Sequence, residues 1–224
     1  MNNANEVLIQ NLQNPVIKNI ASQIVYTIKN ASKKEAMYTC IASSDATLPL
    51  IQWVIITEAS FSEIQTIFEQ YSDYSVSSGI FDTLYIISKN YPVFFKIKSF
   101  HDFSALKYLE NSENSENFNN LVKILLHEDV IYLLLFMLHI GELQKLIPEI
   151  IPQLTMEHNT PYHQEYSFLY GKKIITHTLR VVEEASKIIH DENCEMNYDE
   201  KVILMLAALL HDIGKPACHQ LKNY

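Results

Sequence analysis

Glycine is scarce in these 224 residues: four occur, at 79, 141, 171 and 214, each alone. Phosphate-cradling loops of the dinucleotide and P-loop kinds need several glycines within a few positions, so both are excluded. Cysteine is scarce as well. Cys40, Cys194 and Cys218 are odd in number, far apart and without a CxxC pair, so neither a disulfide framework nor a thiolate zinc site follows. No apolar run reaches the roughly 20 residues that span a bilayer; the longest, Val130 to Ile140, contains His139. The opening Met-Asn-Asn-Ala-Asn-Glu has no basic or apolar leader segment. A soluble, cytoplasmic protein is the expectation. Basic residues are also few, 17 Lys and Arg against 26 Asp and Glu, for a net charge of −9. Such a chain gains little by counterion release on nucleic acid unless its bases cluster. The one loose cluster, Lys172, Lys173, Arg180 and Lys187, reads better as a solvated helix face than as an RNA contact, and no DNA-binding motif is present.

What is there is a core. Apolar residues make up 48%, with 13 Tyr and 10 Phe, a globular composition large enough for one domain or two. Residues 6–31 have helical spacing broken near Asn14-Pro15, with Val16, Ile17, Ile20, Ile24 and Ile28 on one face. Met37–Ala42 and Ile51–Ile56 have the texture of short strands. Phe61–Tyr71 is predicted as a helix entered through a Ser60–Glu63 capping box. Phe81–Ser88 and Val93–Phe100 are predicted as two strands joined at Lys89–Pro92. The polar run 110–120 separates this α/β part from an all-helical remainder. There, Leu121–Leu126 and Val130–His139 lead to Gly141 as a C-cap, and Leu143–Ile151 follows. An irregular stretch holds His158, Pro161 and His163, before helices at 172–190 and 200–213. The fold class is α+β, with a head at 1–109, a linker at 110–120, a helical body at 121–166 and a further helical segment at 167–224.

Chemistry concentrates in that last segment. Helix 200–213 is apolar on every side, which predicts burial, and it ends at His211-Asp212, followed by Ile-Gly-Lys215-Pro216. On the preceding helix, Ile174, Thr178, Val181, Ala185 and Ile188 define a stripe, and His177 lies about 60° from its centre. An adjacent His-Asp pair with one His from a neighbouring helix supplies imidazole nitrogens and a carboxylate for a divalent ion. His177, His211 and Asp212 are the candidate metal ligands. Lys215 is the candidate catalytic cation, placed to neutralise phosphate charge. The dipeptide alone carries little weight, since nine His and eight Asp give about 0.3 such pairs by chance. The joint pattern carries more. His219 is a poor candidate because the Pro216 turn directs it away, and His158 and His163 read as ordinary loop histidines.

The pattern Thr176-His177-Thr-Leu-x-Val, followed by Ala-Ala-Leu-Leu-His211-Asp212-Ile-Gly-Lys215-Pro216, resembles the first half of an HD domain, the metal-dependent phosphohydrolase fold. More closely it resembles the version in the tRNA nucleotidyltransferase (CCA-adding) and bacterial poly(A) polymerase family. Leu121-Val-Lys-Ile-Leu-Leu126 and Gly141-Glu-Leu-Gln-Lys-Leu-Ile-Pro148-Glu149-Ile are similar to that family's body helices. Tyr38-Thr-Cys40-Ile41-Ala42-Ser-Ser-Asp45 stands in the place of its nucleotide loop, and Gln52-Trp53-Val54-Ile-Ile-Thr57-Glu-Ala59 in that of its carboxylate-bearing strand. His101-Asp102-Phe103-Ser104 is a trace of a further motif. The resemblance implies a degenerate nucleotidyltransferase head. Gln52 and Val54 replace its two magnesium-binding carboxylates, Cys40 and Ile41 its glycines, Asp45 and Asp102 remain as structural acceptors, and Trp53 belongs to the core. It also implies a divalent metal (Mg, Mn, Ni or similar) and a nucleotide or tRNA-like RNA phosphate as substrate. A further Asp from a later helix usually completes an HD site, and no acidic residue follows Asp212. The expectation is therefore divided between a truncated, HD-type phosphohydrolase and a non-catalytic RNA- or partner-binding remnant. Either leaves helix 200–213 partly uncovered, with self-association as the consequence.

Overall fold

The computed structural model describes residues 14–42, 51–79, 83–91, 93–103, 114–157 and 169–221. The architecture is α+β, and the chain divides into two compact units, Met1–Asp102 and Phe103–Tyr224.

The first unit is a five-stranded sheet with helices. Helix α1 (Pro15–Ser32) starts with proline in its first turn, where no backbone donor is missed. The Asn14 side chain accepts from the N–H groups of Val16 and Ile17. Its buried stripe is Ile20, Ala21, Ile24 and Ile28, and it packs on strand β1 (Ala36–Ala42). Strand β2 (Ile51–Thr57) pairs antiparallel to β1, with Cys40 opposite Trp53 and Ile41 opposite Gln52. Helix α2 (Phe61–Phe68) carries the expected capping box, Ser60 and Glu63 each closing on the other's backbone N–H. Strands β3 (Tyr74–Ser78), β4 (Leu84–Ser88) and β5 (Phe94–Ser99) complete the order β1-β2-β5-β4-β3. Only β2 and β5 run parallel, because α2, β3 and β4 form the crossover between them. The inner strand β2 is buried from Trp53 through Thr57, as expected for a strand with both faces covered. Strand β3 was not apparent from composition: Tyr-Ser-Val-Ser-Ser is mostly polar because the strand lies at the sheet edge and is only half covered.

The second unit is helical: α3 (Asn114–Leu125), α4 (Val130–Ile140), α5 (Glu142–Leu146), a 3-10 turn (Pro148–Leu154), α6 (Ile174–Ile189), α7 (Tyr198–Leu210) and α8 (Lys215–Leu221). The polar stretch expected to be a linker is helical from Asn114 on: Glu116 and Asn119 lie on the exposed side of an amphipathic helix that buries Asn120, Leu121, Val122, Ile124 and Leu125. Helix α4 is buried along most of its length and stops at Gly141, whose φ of 84° a side chain would resist. Helix α6 packs against α4, the 3-10 turn and α7. No helix among the described residues is long and apolar enough to cross a membrane.

Two expectations for these helices are corrected. Of the expected α6 stripe Ile174, Thr178 and Ala185 are buried, but the face continues through Ile175, Leu179, Val182, Ser186 and Ile189, and Ile188 is 51% exposed. Buried Ser186 lies on the side toward which the face turns; Thr178 donates to the buried side-chain amide oxygen of Gln153 at 2.9 Å. Helix α7 is not buried all round: Met205, Ala208 and Leu209 face inward, and Ile203 is 65% exposed.

Candidate metal centre

Three local features aim the site. Helix α6 ends its loop at Gly171, whose carbonyl accepts from the Thr176 hydroxyl at 2.9 Å, fixing the first turn beside His177. Helix α7 opens on an Asn197–Glu200 capping box and delivers His211-Asp212 at its C-terminal end. A tight turn through Ile213 and Gly214 then starts α8 at Lys215, with Pro216 in its first turn. The expected turn at Pro216 is thus a helix start; His219 lies on that helix, and its side chain is outside the described placements.

These elements bring His177, His211 and Asp212 together, with one ligand atom from each within 4.8 Å of the others. The Asp212 Oδ2 lies 3.3 Å from His211 Nε2 and 3.8 Å from His177 Nε2. The two rings meet edge to face, centroids 5.2 Å apart. His177 is half-buried and Asp212 buried, its side chain 7% exposed.

The His211 tautomer follows from its partner. Its Nδ1 is 2.9 Å from the Ala208 carbonyl oxygen. A carbonyl only accepts, so Nδ1 carries a proton and donates, and Nε2 is the ring nitrogen that faces the cluster. This is the outer hydrogen bond that metal-binding histidines characteristically make.

The donor set fits a divalent ion. Ligand bonds of about 2.1 Å at tetrahedral or octahedral angles put donor atoms roughly 3.0–3.5 Å apart; the 3.3 Å pair lies in that range and the 3.8 Å pair a few tenths of an ångström beyond it. Two imidazoles and one carboxylate suit Zn, Fe, Mn, Co or Ni better than a purely oxygen site would. Lys215 donates to Asp212 Oδ2 at 2.6 Å.

His158 and His163 lie outside the described residues, as does Asp45. Asp102, expected to be a structural acceptor, is 99% exposed on its side chain, with His101 Nε2 3.7 Å away, because the chain turns outward after Phe100. Trp53 is core, as expected, against Tyr38 and Phe95. Val54 is fully buried, and burial pushes the Cys40 thiol up to about 12. The basic residues Lys173, Arg180 and Lys187 are engaged by Glu157, Glu183 and Glu184, so that face offers little unpaired positive charge to a phosphate backbone.

Residues 174–223 match the HD domain family. The match takes in all three cluster residues and Lys215, so the segment that builds the site is the one similar to an HD domain. No curated protein matches the chain.

Proposed function

We propose that the HD segment is a divalent-metal-dependent phosphohydrolase centre acting on nucleotide or RNA phosphates. The carrying observation is the convergence of His177, His211 and Asp212 from two helices, with His211 Nδ1 committed to a backbone carbonyl and its Nε2 turned to the centre. A bound ion would polarise a phosphoryl oxygen and lower the pKa of a water nucleophile. The chain's own residues do the rest. His177 and Asp212 hold position because they are packed, and the cluster is reached past His211, the more open of the three. Lys215 sits on the rim, with its ammonium next to the place where substrate phosphate would carry negative charge.

The finer reading derives the chain from the tRNA nucleotidyltransferase family, with a head that no longer transfers nucleotides. The burial of Val54 supports the loss of transfer alone: that position packs in the sheet core, closed to solvent and substrate. A second, non-catalytic reading draws on α7, whose Ile203 and Leu210 expose apolar surface suited to a protein partner.

Mn2+-dependent hydrolysis of a generic phosphodiester or nucleotide, measured on wild type and His211→Ala, tests the proposal. The expected result is turnover that falls at least about a thousandfold, with loss of stoichiometric metal by elemental analysis. Metal-free wild type, or equal turnover in the variant, refutes the catalytic reading and leaves partner binding.

A further inference from the structure

We propose that Lys215 is an internal cation that holds the metal centre closed, and that it must release Asp212 before a divalent ion binds in full. The inference rests on the metal-site reading above and adds a coupling to it. Lys215 is three residues beyond Asp212, and the first turn of α8 brings its ammonium back onto Oδ2 at 2.6 Å. That oxygen is the one facing both imidazole Nε2 atoms. A single carboxylate oxygen is thus the meeting point of three would-be partners.

The charges explain why the clasp forms. Asp212 is buried, and a buried carboxylate without a compensating cation is strongly destabilising. In the metal-free protein Lys215 supplies the compensation. When a divalent ion takes the same oxygen, two cations stand a few ångströms apart in a poorly screened site and repel. The Lys215 side chain is 39% exposed, so it has a route outward to solvent or to an anion. Metal affinity is therefore reduced by the cost of displacing the ammonium. A phosphate anion that accepts the released ammonium favours the open state, so phosphate and metal reinforce each other's binding.

Mn2+ binding to the full chain, followed by the electron paramagnetic resonance signal of the free ion, tests this without an activity readout. Lys215→Met and Lys215→Gln should bind Mn2+ about tenfold more tightly than wild type, and Lys215→Arg, which keeps the cation, should stay near wild type. Metal-free Lys215→Met should melt at a lower temperature than wild type yet gain more from Mn2+. Inorganic phosphate should tighten Mn2+ binding more in wild type than in Lys215→Met. A purely structural lysine would lower the melting temperature without tightening metal binding. Wild type that binds Mn2+ as tightly as both neutral variants overturns the clasp alone. Absence of Mn2+ binding in every variant overturns the clasp and the metal site together.

Discussion

The two units treat polar chemistry in opposite ways. In the sheet unit, strand β2 has Val54 fully buried, and the neighbouring β1 holds Cys40 as a buried thiol whose pKa desolvation raises to about 12. In the helical unit, two imidazoles and a carboxylate are gathered at a helix end, where backbone and lysine partners satisfy them. A central strand buries side chains on both faces, so a polar group there must be fully paired or replaced by an apolar one. A helix terminus leaves polar groups at the edge of the core. The contrast shows where in each unit a metal site can persist.

The sharpest way to break the contrast is to return a carboxylate to the sheet. Val54→Asp should cost about 3–5 kcal/mol, because the position is fully buried and a carboxylate there loses its hydration. Urea unfolding followed through Trp53, the single tryptophan, reads this directly. A stable Val54→Asp protein that gained Mg2+-dependent nucleotide incorporation would show instead that the sheet unit had kept a usable site. Next in size is thiol reactivity. With its pKa near 12, Cys40 exposes very little thiolate at pH 8, so an alkylating reagent should modify it at least about a thousandfold more slowly than exposed Cys218. Mass spectrometry of timed samples measures the ratio. Comparable rates at Cys40 and Cys218 would mean that the sheet opens readily.

The same contrast sets what could be read from the sequence. Local signals were legible: the Ser60–Glu63 box and the Gly141 cap are short patterns with one structural meaning each. So was the convergence of His177, His211 and Asp212, because a His-Asp pair on one helix and a lone His on the previous one can meet only if the helices pack side by side, as α6 and α7 do. What failed was anything set by covering. The α6 stripe was only partly right: Ile174, Thr178 and Ala185 are buried, while Ile188 is exposed and polar Ser186 buried, which neighbouring helices decide and hydrophobicity does not. The apolar circumference of α7 showed that the helix favours cover, while Ile203 and Leu210 show which side the described residues leave open. Strand β3 escaped because an edge strand can be made of serine. The Lys215–Asp212 contact was also out of reach, since it depends on α8 starting at Lys215 and not on a turn at Pro216.

The smallest expected effect compares the two capping boxes. Both units use one, but the Glu63 carboxylate also takes the Lys34 ammonium at 2.8 Å, whereas Glu200 sits on an exposed helix start. Hydrogen bonds from Lys34 and from Ser60 lower the Glu63 pKa to about 2. A depressed carboxylate pKa contributes stability that is complete above the unfolded value near 4.5 and is lost as pH falls through that value toward 2. Because the group is more than a third exposed, solvent screening keeps the contribution well below what the shift alone implies, about 1 kcal/mol or less. The urea midpoint reported by Trp53 should therefore fall between pH 5 and pH 2.5 more in wild type than in Glu63→Gln, whose amide does not titrate. Ser60→Ala removes the other half of the box and should cost about 1 kcal/mol at pH 7. Equal pH dependence in wild type and Glu63→Gln would place the acid sensitivity of the sheet unit elsewhere, and would mean that the Lys34 contact adds nothing to a box that already closes on its own backbone.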